Sequence, residues 1–223
     1  MDSLEKEKEK IERGILSLKT RRQDWNTNAK IVIEKCFKET VEKSRNIKFP
    51  FSLHCVVPTS NINEETIQLM AGINSTGVFL NEVKHHENTV EKVTTHVLEK
   101  GCALVASFSI DGTVSFIISP YKSERHSMKE ENIFIRYGMP PKKITEQDLT
   151  KIISTFLFYS RFTSIFGIRN SFNIIDLLHY YYLLFLDIRN RQKIISTTMN
   201  IANEWSKILL GGVVGYIVAM LTK

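Results

Sequence analysis

The first part of the chain constrains the fold most, because nothing in it interrupts a helix. Residues 1–47 contain no proline and a single glycine, and they are rich in Glu, Lys and Arg, which lose little rotamer freedom in a helix. Every seventh residue forms an apolar row: Leu4, Ile11, Leu18, Trp25 and Val32. Ile15, Ala29 and Cys36 fill the interleaved positions. This pattern predicts a long coiled-coil-like helix over 1–47 that associates with a second copy.

Three residues of the same segment weaken a permanent coiled coil. Lys8 and Arg22 stand at interleaved positions, and Gly14 lowers the helix propensity of the first turns. Two outcomes therefore stay open: the helix pairs conditionally, or it packs on its own domain.

Residues 48–141 predict a small α+β domain. Pro50 ends the helix, and the β-branched and aromatic segment 51–57 predicts a strand. Segment 60–70 begins with helix-capping residue types and predicts a short helix. Segment 82–100 predicts a second helix covering the sheet, because Gly101 supplies a stop signal and four valines share one helical face. These valines are Val83, Val90, Val93 and Val97.

Residues 102–119 carry the clearest local signal. Two alternating apolar and polar runs are joined by Asp111-Gly112, which predicts a β-hairpin with a type I′ turn. Alternation places one set of side chains in the core: Leu104, Ala106, Phe108, Ile110, Val114, Phe116 and Ile118. Ser107, Ser109 and Ser115 are expected to face outward. With a further strand at 132–137, the fold class is α+β, with a mainly antiparallel sheet and covering helices.

Residues 142–204 predict a helical region. Thr145 and Asp148 have the spacing of a helix N-cap and its reciprocal acidic partner. Apolar segments follow at 149–166 and 172–186. The second segment contains Asp176 and His179, which lie three apart on one helical face as a polar pair in apolar surroundings. A hydrogen-bonded pair in a core is the simpler interpretation, and a proton path, a metal site or a pore lining is the functional alternative.

Residues 205–223 are a candidate membrane anchor. Residues 208–221 form a run of 14 without charged or strongly polar side chains, flanked by Trp205, Lys207 and Lys223, which favour the membrane interface. A helix of that length covers about 21 Å, against about 30 Å of hydrocarbon, so spanning requires local thinning or association of copies. The alternative is a buried C-terminal core helix.

Small residues recur every four positions within the candidate anchor. Gly211, Gly215 and Ala219 form a ridge that allows helix backbones to approach closely in lipid. This ridge predicts self-association of the tails. Arg189, Arg191 and Lys193 precede the anchor and are expected to contact anionic lipid headgroups on the cytosolic side.

Catalytic and cofactor signatures are missing from the sequence. It contains no phosphate-binding loop, nucleophile elbow or zinc-protease motif, and its three cysteines have no metal-binding spacing. We therefore expect no enzymatic activity, cofactor or metal. A basic and aromatic cluster near the hairpin is the main argument for an anionic ligand such as nucleic acid: Lys122, Arg125, Arg136, Lys142 and Lys143.

Together these features predict a membrane-tethered homo-oligomer. The cysteine usage and the charged N-terminus without an apolar signal segment favour the cytoplasmic face of a membrane, the inner membrane if the source is bacterial. The architecture has an analogy in membrane-perturbing effectors of bacterial anti-phage defence, with a sensing or scaffold domain on a short anchor. The alternative is a soluble oligomeric adaptor or nucleic-acid-binding protein whose apolar tail is buried at a subunit interface.

Overall fold

The computed structural model describes residues 3–57, 65–86, 89–124, 127–168 and 173–189. Its helices are α1 (Ser3–Asp24), α2 (Lys30–Asn46), α3 (Glu146–Thr163), α4 (Ile165–Ile168) and α5 (Ile174–Leu186). Its strands are β1 (Leu53–Val56), β2 (Thr66–Ala71), β3 (Asn74–His86), β4 (Thr89–Glu99), β5 (Ala103–Phe108), β6 (Val114–Ser119) and β7 (Ile133–Met139). The predicted α+β class with a long N-terminal helix and an antiparallel sheet is confirmed.

The N-terminal helix is continuous but packs on the domain over only part of its length. A π-helical turn at Trp25–Ala29 joins α1 to α2. From this turn onward, one face is buried with a spacing of four residues: Trp25, Ala29, Ile33, Phe37 and Val41. In contrast, α1 has no buried residue. The predicted apolar row therefore divides: Trp25 is in the core and Val32 packs against it, whereas Leu4 and Ile11 are exposed.

Two contacts hold the helix where it leaves the domain. The Trp25 ring stacks on Phe108, with centroids 5.1 Å apart and an interplanar angle of 7°. One to two turns earlier, Leu18 and Arg21 lie against Gly112, where a Cβ would stand 2.9 Å from Leu18 Cδ1. Arg21 Nη1 also donates a hydrogen bond to the Asp111 carbonyl oxygen at 3.2 Å. These contacts fix the direction of α1 relative to the sheet.

The main sheet has five strands in the order β1-β2-β5-β6-β7, with antiparallel neighbours throughout. Alternation along the strands buries one face against α2 and α3, which also contact each other. The buried side chains include Leu53, Ile67, Leu69, Leu104, Ala106, Phe116, Ile118, Ile133 and Ile135. One core therefore joins the second half of the long helix, the sheet and α3.

Both helices predicted between 60 and 100 are wrong where the structure describes these residues, because the described parts form strands. Residues 66–71 form β2, which pairs with β1 on one side and β5 on the other and buries Ile67 and Leu69 in alternation. Most of 82–100 belongs to β3 and β4, which form a separate two-stranded antiparallel ribbon. This stretch contains four valines and three threonines, whose branched side chains are more compatible with strands than with helices.

The hairpin predicted at 102–119 is confirmed, but its turn differs from type I′. Gly112 has a φ of 77° whereas Asp111 does not adopt positive φ, so a type I turn is followed by a left-handed glycine. Its amide donates to the Ser109 carbonyl oxygen at 2.9 Å. This longer loop takes Ile110 out of the strand alternation and leaves it 85% exposed instead of in the core. Ser115, expected to face outward, is buried.

The helical region begins as predicted, and residues 169–172 and 190–204 of its predicted range lie outside the described part of the chain. Thr145 caps α3 by accepting a hydrogen bond from the Asp148 amide at 3.2 Å. The helix ends at Thr163 and turns into α4, where a Cβ on Gly167 would overlap the carbonyl oxygen of Arg161. Glycine is therefore required for this close approach of the two backbones.

We expect Trp25→Ala to lower the free energy of unfolding by about 3–5 kcal/mol, because it removes a large buried side chain and its ring stack. Ile11→Ala, on the exposed part of the same helix, should change it by less than about 0.5 kcal/mol. Urea denaturation followed by circular dichroism measures both. Equal losses for the two variants would contradict the division of the helix at Trp25.

Candidate interaction surface at the C-terminal helices

The outer face of α5 is apolar and exposed. Its exposed fractions run from 41% at Leu177 to 74% at Ile174. The members of this set, which we call the α5 outer face, are Ile174, Ile175, Leu177, Leu178, Tyr181, Tyr182 and Phe185. Ile188, just beyond the helix, is also exposed. Exposed apolar surface of this kind is uncommon on a monomeric soluble protein, so this face is a candidate interaction surface.

The opposite face of α5 attaches it to the rest of the molecule. Tyr180 and Leu183 are buried, and the Tyr180 ring stacks on Phe162 with centroids 4.7 Å apart. The Tyr180 hydroxyl donates to Glu130 Oε2 at 2.7 Å. Burial is the main cause that raises the pKa of Tyr180, and the hydrogen bond to Glu130 raises it further. The hydroxyl therefore remains a donor at neutral pH. Thus α5 is apolar on its attached face and on its outer face.

Asp176 and His179 contact different partners. Both Asp176 carboxylate oxygens accept hydrogen bonds from Arg161 Nη2 at 3.0 Å. The His179 ring stacks on Phe158, with centroids 4.1 Å apart. These contacts tie α5 to the last turns of α3.

A buried carboxylate fixes the end of α5. Asp187 is fully buried and accepts hydrogen bonds from the Phe134 amide at 3.1 Å and from Arg189 Nη2 at 2.7 Å. Arg189 also donates to the Asn132 carbonyl oxygen at 2.9 Å and lies over the Phe134 ring. Arg189, predicted to contact lipid headgroups, is therefore also part of an internal clamp between α5 and β7, although half of its side chain is exposed.

An open apolar groove of about 680 Å³ lies beside Arg161. The segment 49–51, α3 and α4 line it. Phe49, Phe51, Leu157, Phe158 and Phe166 supply most of its lining. Apolar surface in this part of the protein is therefore not confined to α5.

Glu99 connects the β3–β4 ribbon to the same helices. It is buried and accepts hydrogen bonds from the Ser164 hydroxyl at 2.6 Å and from the Ile165 amide at 2.9 Å. Asn74, its partner across the ribbon, donates to the same carboxylate at 3.0 Å. The base of the ribbon is thus joined to the turn between α3 and α4.

The basic residues predicted to contact an anionic ligand lie on different elements. Lys122 lies in an isolated bridge with Lys100, and Arg136 is exposed on β7. Lys142 and Lys143 are exposed on a 3₁₀ turn at Pro141–Lys143. Arg125 lies outside the described residues. Their placement adds no shared binding surface to the sequence argument.

Several predicted site residues lie beyond the described part of the chain. These are Arg191, Lys193, Trp205, Gly211, Gly215 and Ala219. Within the described ranges, no helix has both the length and the apolar character needed to cross a bilayer. Among those same residues, no group of His, Cys, Asp and Glu is arranged to hold a metal ion.

Sequence reasoning missed the residues that hold this surface in place. Glu99, Glu130 and Asp187 each accept hydrogen bonds from a segment distant in sequence. For Asp187 a signal was present, because a lone carboxylate closing an apolar run with an arginine two residues later indicates a paired buried charge. The other two pairings depend on tertiary contacts.

Comparison with known proteins gives no relative: no family model, no curated protein and no solved structure matches this chain.

The Asp187 clamp predicts a defined pH dependence. Burial opposes ionisation, but hydrogen bonds from Arg189 and the Phe134 amide lower the pKa of Asp187 below its ordinary value. Its stabilisation is therefore present above about pH 4 and lost as pH falls through the depressed folded-state pKa. Asp187→Asn should accelerate amide exchange in α5 at pH 7, and the difference in opening free energy should shrink below about pH 4.

Glu131→Gln is the matched control, since it removes an exposed carboxylate close in sequence to the clamp. It should leave α5 exchange unchanged. Hydrogen exchange with mass spectrometry, corrected for intrinsic rates, reads out both variants. A difference between parent and Asp187→Asn that grows toward low pH would have the wrong sign for a depressed pKa.

Proposed function

We propose that this protein is a non-enzymatic, membrane-tethered oligomer whose α+β domain lies at the cytoplasmic face of a bilayer. The observation that carries the proposal is the α5 outer face. It is an exposed apolar surface at the end of the described chain, on a helix whose other side is already attached to the domain.

A bilayer surface suits the dimensions of α5. With 13 residues, the helix covers about 20 Å, which is too short for a hydrocarbon core of about 30 Å. A helix that does not span can instead lie in the interface plane, with its apolar face in the acyl boundary. Tyr181 and Tyr182 are suited to that position, because their rings are apolar and their hydroxyls reach water.

The sequence that follows α5 has the composition of a membrane anchor. Arg191 and Lys193 supply charge for anionic headgroups, and 208–221 supplies an uncharged apolar run. If α5 lies on the surface, the run that follows starts beside the bilayer. Lipid contact would then begin at the α5 outer face and continue into the tail.

Oligomerisation completes the proposal. A short tail with a small-residue ridge gains from helix association in lipid, and several tails together perturb a bilayer more than one tail does. An effector that perturbs membranes, as in bacterial anti-phage defence, is the most specific function compatible with this design. That step rests on architectural analogy.

Vesicle flotation of the full-length double variant Leu178→Asp/Tyr182→Asp tests the proposal by measuring how much protein is recovered with the vesicles. Both side chains are exposed, so the domain should stay folded while a charge enters the surface that contacts lipid. We expect recovery with anionic phosphatidylglycerol vesicles to fall several-fold relative to the parent. Ile73→Asp, at an equally exposed isoleucine outside the α5 outer face, should float like the parent.

Flotation that the α5 substitutions leave unchanged would reject the α5 outer face as a lipid contact, and with it the observation that carries the proposal. Parent protein that stays with the soluble fraction while the α5 substitutions dissociate an oligomer would reject the membrane proposal, and it would identify the soluble adaptor with its apolar surface buried between subunits.

A further inference from the structure

The first four turns of the long helix form an arm that has no partner within the described part of its own chain. Every residue from 3 to 17 is exposed. Leu4, Ile11 and Ile15 are exposed by 62 to 77% on the a/d row of this arm. Contacts with the domain begin at Leu18 and Arg21. An amphipathic helix with an uncovered seam is the geometry of half a coiled coil.

We propose that the arm pairs antiparallel with the arm of a second copy, with Ile11 facing the partner's Ile15. The inference deepens the proposed function, because it rests on self-association and specifies the partner and its direction. Three features of the arm select this arrangement: the cations in the seam, the charges that flank it, and the position of Gly14.

The cations in the seam argue against a parallel pair. Parallel strands in register would place Lys8 against the partner's Lys8 and Arg22 against the partner's Arg22. Antiparallel pairing matches each a position with a d position. With Ile11 facing the partner's Ile15, Arg22 faces the partner's Leu4, and Lys8 faces the partner's Leu18, which also contacts Gly112 of its own chain. The alkyl stems of both cations can then cover leucine while their charges reach water.

The flanking charges match in the same register. Antiparallel pairing brings e positions together and g positions together, so Glu5 lies beside the partner's Lys19 and Glu7 beside the partner's Arg21. Each contact occurs twice by symmetry. The like pair is Glu12 with the partner's Glu12, and each Glu12 has Lys8 of its own chain 3.9 Å away. Parallel pairing would instead bring Glu7 to the partner's Glu12, a like pair.

The position of Gly14 and the charges in a shifted register also favour antiparallel pairing with Ile11 facing the partner's Ile15. Gly14 falls beside the partner's Gly14 at the centre, where it has open space on its own chain and permits close approach of the two helices. A shift by one heptad toward the N-terminus would place Glu5 beside the partner's Glu12. Charge repulsion therefore disfavours the shifted register.

Ile110 gives the end of each arm an apolar neighbour. It lies in the hairpin turn next to the residues that contact Leu18 and Arg21, and it is 85% exposed. The proposed register brings the partner's Leu4 to the level of Arg22, close to this turn. An exposed isoleucine at the tip of a hairpin would thereby be covered in the dimer.

Charge reversal in the full-length protein tests the register. Glu5→Lys and Lys19→Glu should each weaken dimerisation by about tenfold, because each creates two like-charge contacts. The double variant should recover the parent dissociation constant, since both contacts are then opposite in sign again. Glu9→Lys, with the same change in charge on the outward face of the arm, is the control and should retain parent affinity. Analytical ultracentrifugation of detergent-solubilised protein measures all four.

Disulfide trapping tests the direction independently. Chains carrying Ile11→Cys and chains carrying Ile15→Cys, under different affinity tags, are mixed and oxidised, with the parent as the background for its native cysteines. Antiparallel pairing predicts that disulfides joining an Ile11→Cys chain to an Ile15→Cys chain form in at least severalfold excess over disulfides joining two Ile11→Cys chains. The reverse preference, or failure of the double charge variant to recover, would overturn the proposal.

Flotation and dimerisation fail independently in these experiments. If the protein floats but its arms do not pair, the membrane proposal stands and the antiparallel pairing of the arms is rejected. If the arms pair but the protein does not float, the pairing stands and the membrane proposal is rejected.

Discussion

The packing of the long helix on the sheet is the contact on which the rest of the structure depends. The five strands cover one helix face only from Trp25 onward, and the stack of Trp25 on Phe108 marks where that cover begins. The sheet is too small to cover the whole helix. The N-terminal part consequently extends away from the domain, with an apolar seam and few sites of attachment. A small core thus produces a long interaction surface.

A similar imbalance occurs at the other end of the described chain. The domain core accepts Tyr180 and Leu183 of α5 but leaves the opposite side of the helix uncovered. Two carboxylates hold α5 in this position: the buried Asp187 fixes its end to β7, and the half-buried Asp176 fixes its beginning to Arg161. A helix that is apolar on both sides and rigidly mounted is suited to present one side to lipid.

Sequence reasoning succeeded where one local signal was strong and unopposed. The absence of proline before Pro50, the Asp111-Gly112 turn and the Thr145 cap each specified an element that the structure contains. It failed at 82–100, because valines at helical spacing also fit a strand and the three threonines among them favour a strand. Ile110 was misplaced because a longer loop replaced the expected two-residue turn. The Asp187 carboxylate and Arg189 gave a local signal for a paired charge, but the hydrogen bond from Phe134 on β7 is a tertiary contact that the sequence pattern does not specify.

The most direct measurement of the membrane claim uses the two native tryptophans. Trp25 is buried against Phe108, whereas Trp205 lies in the candidate anchor. The account predicts that vesicles containing lipids brominated on their acyl chains quench the parent fluorescence and leave the emission of Trp205→Phe unchanged. Equal emission of the parent in brominated and ordinary vesicles, with the protein bound, would contradict insertion of the tail.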